Sequence, residues 1–155
     1  MLRTIALSLI ALGAVVTLPD RADAHCQIPC GIYDDHARVH SIREDITTIE
    51  KAVNNIRQLA GKKDAQSANQ LVRWITNKEE HAEKIIRTIS DYFLAQKIKP
   101  ADPKDEKAHA AYMEMLARHH AVIVAAMKAK QNASMDAVKN LKKAVDAIEG
   151  YWPKK

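Results

Sequence analysis

Glycine and proline are scarce in this 155-residue chain, at four and five residues. So few turn formers argue against an all-β sandwich, which needs many tight reversals. Basic runs are missing as well: the formal net charge is +5, but Lys, Arg, Asp and Glu are interspersed. The electrostatic footprint of a nucleic-acid module is therefore absent. Two cysteines cannot staple a disulfide-dense small domain. No Gly-rich phosphate loop, no Cys-x-x-Cys-His haem motif and no local Ser/His/Asp or Cys/His arrangement occurs. Plentiful instead are Ala, Ile, Lys and Glu, within 47% hydrophobic and only 5% aromatic side chains. That is the composition of a helical domain with an ample core.

Residues 1–24 read as a cleaved export signal. Arg3 forms a short basic start, Thr4 to Leu18 is apolar apart from small or hydroxyl residues, and Pro19 breaks it. Ala22-Asp23-Ala24 has the small-x-small form of a cleavage site. The apolar stretch falls short of the ~20 residues that span a bilayer. Cleavage after Ala24 makes His25 the first residue of an exported protein, periplasmic or secreted, with no membrane segment.

From residue 34 the apolar positions recur at helical spacing. Val39, Ile42, Ile46, Ile49, Val53, Ile56 and Leu59 predict a first helix that stops at Gly61, with Asp34 or Asp35 as its cap. Leu71, Ile75, Ala82, Ile85, Ile89 and Phe93 predict a second, from about Asp64 to Ile98, ended by Pro100 and Pro103. A third carries Tyr112, Met115, Leu116, His119, Val122, Ile123 and Met127. A fourth carries Met135, Val138, Leu141, Val145 and Ile148 up to Gly150. The expected fold is all-α, an up-down four-helix bundle over 34–150 with a short tail, 151–155.

Residues 25–33 have no helical stripe. His25-Cys26-Gln27-Ile28-Pro29-Cys30-Gly31-Ile32-Tyr33 concentrates both cysteines, a histidine, a proline and a glycine. Pro29 and Gly31 favour a tight reversal that brings the two sulfurs together. With His25 first, the donors are its α-amine and imidazole, the Cys26 amide nitrogen and two thiolates. Two nitrogens and two sulfurs suit a square-planar metal, Ni(II) or Cu(II), whereas zinc would want a tetrahedron and further ligands. The competing reading is a Cys26–Cys30 disulfide, ordinary in an exported protein. Such a bridge closes a very short terminal loop and would stabilise the bundle little.

The pattern His25-Cys26-x-x-Pro29-Cys30-Gly31-x-Tyr33 at a processed N-terminus resembles the hook of nickel-dependent superoxide dismutases. The resemblance implies a four-helix subunit, one nickel ion per subunit and a homohexamer. It implies nickel held by His25, Cys26 and Cys30, the His25 imidazole binding axially in the oxidised state, and Ni(III)/Ni(II) cycling with superoxide as substrate. Tyr33 corresponds to the hook tyrosine that limits access to small anions. Asp91-Tyr92-Phe93 matches a family triplet, which makes Tyr92 the second gate. Two positions depart from the family's pattern. The glutamate that holds the ligand imidazole is replaced near His40 and Ser41, and an arginine of the second helix by His81. Either histidine could serve as an outer partner of His25; the alternative reading is a solvated surface histidine.

Other constellations compete poorly. A di-iron bundle needs two Glu-x-x-His motifs, and only Glu106-Lys107-Ala108-His109 is present. The non-catalytic alternative is an exported metal-binding or stress-adaptor bundle with the Cys26–Cys30 disulfide. It could use His36 with His40, one turn apart, or His119 with His120, although each of these reads more simply as a solvated or capping histidine. Asn132-Ala133-Ser134 is a glycosylation sequon, a weak motif.

Overall fold

A computed structural model describes residues 34–154. Helix α1 (Asp35–Leu59) begins where the Asp34 carboxylate accepts a hydrogen bond from the His36 amide at 2.9 Å. It ends at Ala60, and Gly61 follows with φ +87°, a left-handed turn that suits a residue without a Cβ. Helix α2 (Ala65–Arg87) is capped by Asp64 onto the Ser67 amide. It runs on without interruption into a π-helical segment (Thr88–Lys97) that closes with an Ile98 amide to Phe93 carbonyl bond of 2.9 Å. After the proline-containing link come α3 (Glu106–Gln131), capped by Asp105, and α4 (Met135–Glu149), capped by Ser134.

Each helix packs on the next, and α1 packs on α4. Ion pairs give the directions. Arg43 meets Glu149 at 2.6 Å and Glu50 meets Lys142 at 2.5 Å, so numbers rising on α1 fall on α4. Asp45 pairs with His81 and Asp35 with Lys97, which makes α1 and α2 antiparallel too. The fold is an up-down four-helix bundle, as the periodicity predicts.

The α1 stripe from Val39 to Ile56 is buried, as are Val138, Leu141, Val145 and Ile148 of α4. Two differences from the sequence reading stand out. The predicted second helix is one continuous rod, but its last ten residues have the wider π geometry. A wider turn sets successive side chains less far apart around the axis, so neighbours Tyr92 and Phe93 are both buried. The first half of α2 is also less covered than its stripe suggests: Ile75 is 37% exposed and Val72 64%. Beyond α4, Trp152 folds back into the core at 8% exposure.

Lys78 is buried at 4% exposure and its ammonium donates to the carbonyls of Ala129 (3.1 Å) and Lys130. These belong to the last turn of α3, whose carbonyls have no partner within their own helix. A cation there also suits the negative end of the helix dipole. Burial pushes the Lys78 ammonium below the usual lysine range. Lys78→Met keeps the stem and removes the donor, leaving those carbonyls unpaired. It should lower unfolding stability in urea by about 1–3 kcal/mol, the size of a buried charged hydrogen bond. An unchanged midpoint would show that Lys78 does not hold the end of α3.

Candidate functional site

Of the residues singled out by sequence, His25, Cys26, Cys30 and Tyr33 lie outside the described residues, as does segment 1–24. Tyr92, His40 and His81 lie within them. The surroundings of the chain's entry into the bundle are therefore the part of the site that can be built from contacts.

Asp34 takes the helix-capping role at the start of α1, which frees its neighbour Asp35 for a tertiary one. Tyr92 donates its phenolic proton to Asp35 Oδ1 at 2.5 Å, across 57 residues of sequence. Lys97, from the last turn of the π segment, reaches Asp35 Oδ2 at 2.9 Å. The Arg38 guanidinium lies 5.7 Å from the centre of the Tyr92 ring and the Lys97 ammonium 6.0 Å. Tyr92 is 7% exposed and stands edge-on to Phe93 at 5.1 Å. Burial, with the hydrogen bond to Asp35 second, pushes the phenol up to about 12. Tyr92 is thus a neutral phenol at neutral pH, held by an acid and flanked by two cations.

His81 and His40 are placed differently. His81 Nδ1 is 2.6 Å from Oδ1 of Asp45, a buried carboxylate that also takes Lys84 at 3.2 Å. The imidazole is thereby oriented by α1 and does not stand as a loose surface group. His40 is 65% exposed, with Glu44 3.6 Å from its Nδ1. Asp35 and Asp45 are ten residues apart on α1, about 15 Å along its axis at 1.5 Å per residue. The structure therefore does not bring His81 to Tyr92 within one chain. His40 lies halfway between, about 7.5 Å along the axis from Asp35.

The other histidine pairings separate as well. His36 Nδ1 lies 3.2 Å from the Trp152 carbonyl, to which it donates when that nitrogen carries the proton. His119 is fully buried, so its reading as a solvated or capping group is corrected, while its neighbour His120 is exposed. Its Nδ1 donates to the Met115 carbonyl at 2.7 Å and its Nε2 accepts from the Trp152 indole at 3.0 Å. Among the described residues no group of three His, Cys, Asp or Glu could hold a metal ion.

Arg38 and Lys97 were not singled out by sequence reasoning, and Asp35 only as an alternative cap for the first helix. The available signal was the Asp34-Asp35 doublet: one acid is enough to cap the helix, and the second was surplus. Nothing local announces its partners on the π segment.

The family model for nickel-containing superoxide dismutase matches residues 20–155. No curated protein and no solved structure matches the chain.

Proposed function

The chain belongs to the nickel-containing superoxide dismutase family, and we propose that His25, Cys26 and Cys30 of the processed N-terminus hold its nickel. Its activity is the nickel-dependent disproportionation of superoxide: two superoxide anions and two protons give dioxygen and hydrogen peroxide. The observation that carries the assignment is the extent of the match, which takes in the Cys26/Cys30 segment together with the bundle.

The donor set fits the metal. Both cysteines of the chain lie in this segment, and thiolate with amide nitrogen is the combination that suits square-planar Ni(II). When bound, nickel supplies the one-electron acceptor and donor for successive superoxide ions, a couple that anionic sulfur and nitrogen donors make accessible. The chain's own residues do the rest. Tyr33 and Tyr92 restrict access to small anions. Because the Tyr92 phenol is pushed up to about 12, it is un-ionised at neutral pH and adds no negative charge that would repel superoxide. Arg38 and Lys97 beside it, within a net charge of +5, favour approach of an anion.

We also propose that residues 1–24 direct export and are removed, and that the subunits assemble as a homohexamer. The test combines N-terminal sequencing, metal analysis, light scattering and superoxide decay on the processed protein. His25 as the first residue, one nickel per chain and a sixfold mass are expected. A nickel-free protein with an intact Cys26–Cys30 disulfide, inactive after nickel loading under reducing conditions, would overturn the site and favour the non-catalytic alternative.

A further inference from the structure

A phenol has one proton to donate, and Tyr92 spends it on Asp35. The acid cannot readily swing away, because its other oxygen is clamped by Lys97 at 2.9 Å and its side chain is only 15% exposed. Asp35 is the first residue of α1 and follows Tyr33 by two positions. Toward any other molecule the Tyr92 oxygen can therefore only accept.

We propose that Asp35 is a positioning residue for the dismutation: clamped by Lys97, it fixes the Tyr92 phenol with its proton turned into the protein, so that Tyr92 offers an acceptor oxygen. An acceptor of this kind receives water or the product hydrogen peroxide, each of which carries a proton to donate. It offers no hydrogen bond to superoxide, which is an anion and needs a donor. The attraction for the substrate then falls to the cations beside the ring, Arg38 and Lys97. Tyr92 becomes a post that sorts protonated from anionic species. This rests on the reading of Tyr92 as a gate, and it adds what holds the gate and which way its proton points.

The test uses the nickel-loaded, processed protein and its metal-free form, with the variants Asp35→Asn, Asp35→Glu, Tyr92→Phe and the Asp35→Asn/Tyr92→Phe double. Asp34 remains to cap α1, and helicity by circular dichroism checks the fold. The first readout is the ultraviolet titration of the phenols. The charged groups facing Tyr92 are Asp34, Asp35 and Arg38 from α1 and Lys97 from its own segment. Removing the Asp35 charge should bring the Tyr92 phenol part of the way down, since burial, the larger cause of its rise, remains. At about pH 11 the Asn variant should then hold a larger ionised fraction of its tyrosines than the wild type.

The second readout is kcat/KM for superoxide. It should fall about tenfold in Asp35→Asn, the loss expected from one charged hydrogen bond, recover largely in Asp35→Glu, and fall no further in the double variant than in Tyr92→Phe. Unchanged titration and unchanged kcat/KM in Asp35→Asn, with Tyr92→Phe impaired, would overturn the role of Asp35 alone. Wild-type activity in Tyr92→Phe would instead remove the gate reading and the reaction role of Asp35 with it. A shifted titration in that case would still register the hydrogen bond.

Discussion

Cys26→Ser and Cys30→Ser are each expected to lower dismutation by more than about a hundredfold, since even outer partners of metal ligands carry 10–100-fold. Serine preserves size and polarity but replaces a thiolate with a neutral, hard hydroxyl that does not ionise at neutral pH. The electron density that makes nickel oxidation accessible would be lost with the sulfur. The same substitutions should leave the bundle almost untouched. Its buried cluster is assembled from residues between Val39 and Trp152 and draws on α1, α2, the π segment, α3, α4 and the closing turn. Far-UV circular dichroism and urea midpoints should therefore match the wild type while superoxide decay falls to background.

An independent variant makes the test more specific. One residue added before His25 keeps both cysteines, their spacing and any disulfide they could form. It turns the His25 α-amine into a peptide amide and moves the free amine one residue away, while the imidazole and the sulfurs keep their places in the chain. Activity should collapse here too, and nickel content should fall. Full activity in the extended protein would refute coordination by the His25 amine, and full activity in either serine variant would refute the sulfur ligands.

The helices were legible because burial in a bundle imposes its own period on the sequence. Val39, Ile42, Ile46, Ile49 and Val53 could be picked out at three- and four-residue steps, and all are fully or almost fully buried. The same logic overreached at Ile75, where the stripe continues but the side chain is left 37% exposed. Periodicity reports what a helix could bury and is silent on what arrives to bury it. The π geometry of Thr88–Lys97 left no trace, since no local residue type marks it. The proposed donor set could be read from sequence for a different reason: its atoms lie within six consecutive residues. Asp35 was not, because its meaning depends on Tyr92 and Lys97, which chain folding alone brings near.

His119 is the sharpest case of a residue whose role is fixed by a distant partner, and it carries the largest expected effect on stability. Read along the helix it is a histidine on an apolar stripe. In the fold it is fully buried, with Phe93 at 5.6 Å, Trp152 at 5.8 Å and Tyr151 at 6.1 Å between ring centres. Trp152 donates to Nε2, and Nδ1 donates to Met115, so the ring is neutral with its proton on Nδ1. A second proton would have to sit on Nε2, facing the indole N–H. Trp152→Ala should cost about 3–5 kcal/mol, the range for truncating a buried aromatic. Trp152→Phe should cost about 1–3 kcal/mol, largely for leaving Nε2 unpaired.

The pH dependence follows from the same contacts. Burial pushes the His119 imidazole below its ordinary value of 6.5, against a smaller opposing contribution from the Met115 carbonyl. The unfolded chain therefore binds more protons than the folded one as pH drops below about 6.5. Stability from this residue is complete above that pH and declines as pH falls toward the folded value. Urea midpoints measured from neutral to mildly acidic pH should show this decline in the wild type and a flatter profile in His119→Phe. An identical acid slope in the two proteins would refute the assignment. Because His36, beside Asp35 at the start of α1, contacts the Trp152 carbonyl, loss of the Trp152 anchor should also loosen the helix start that holds Tyr92. Trp152→Ala should then lower kcat/KM as well as stability, whereas Lys78→Met, at the far end of the bundle, should lower stability alone.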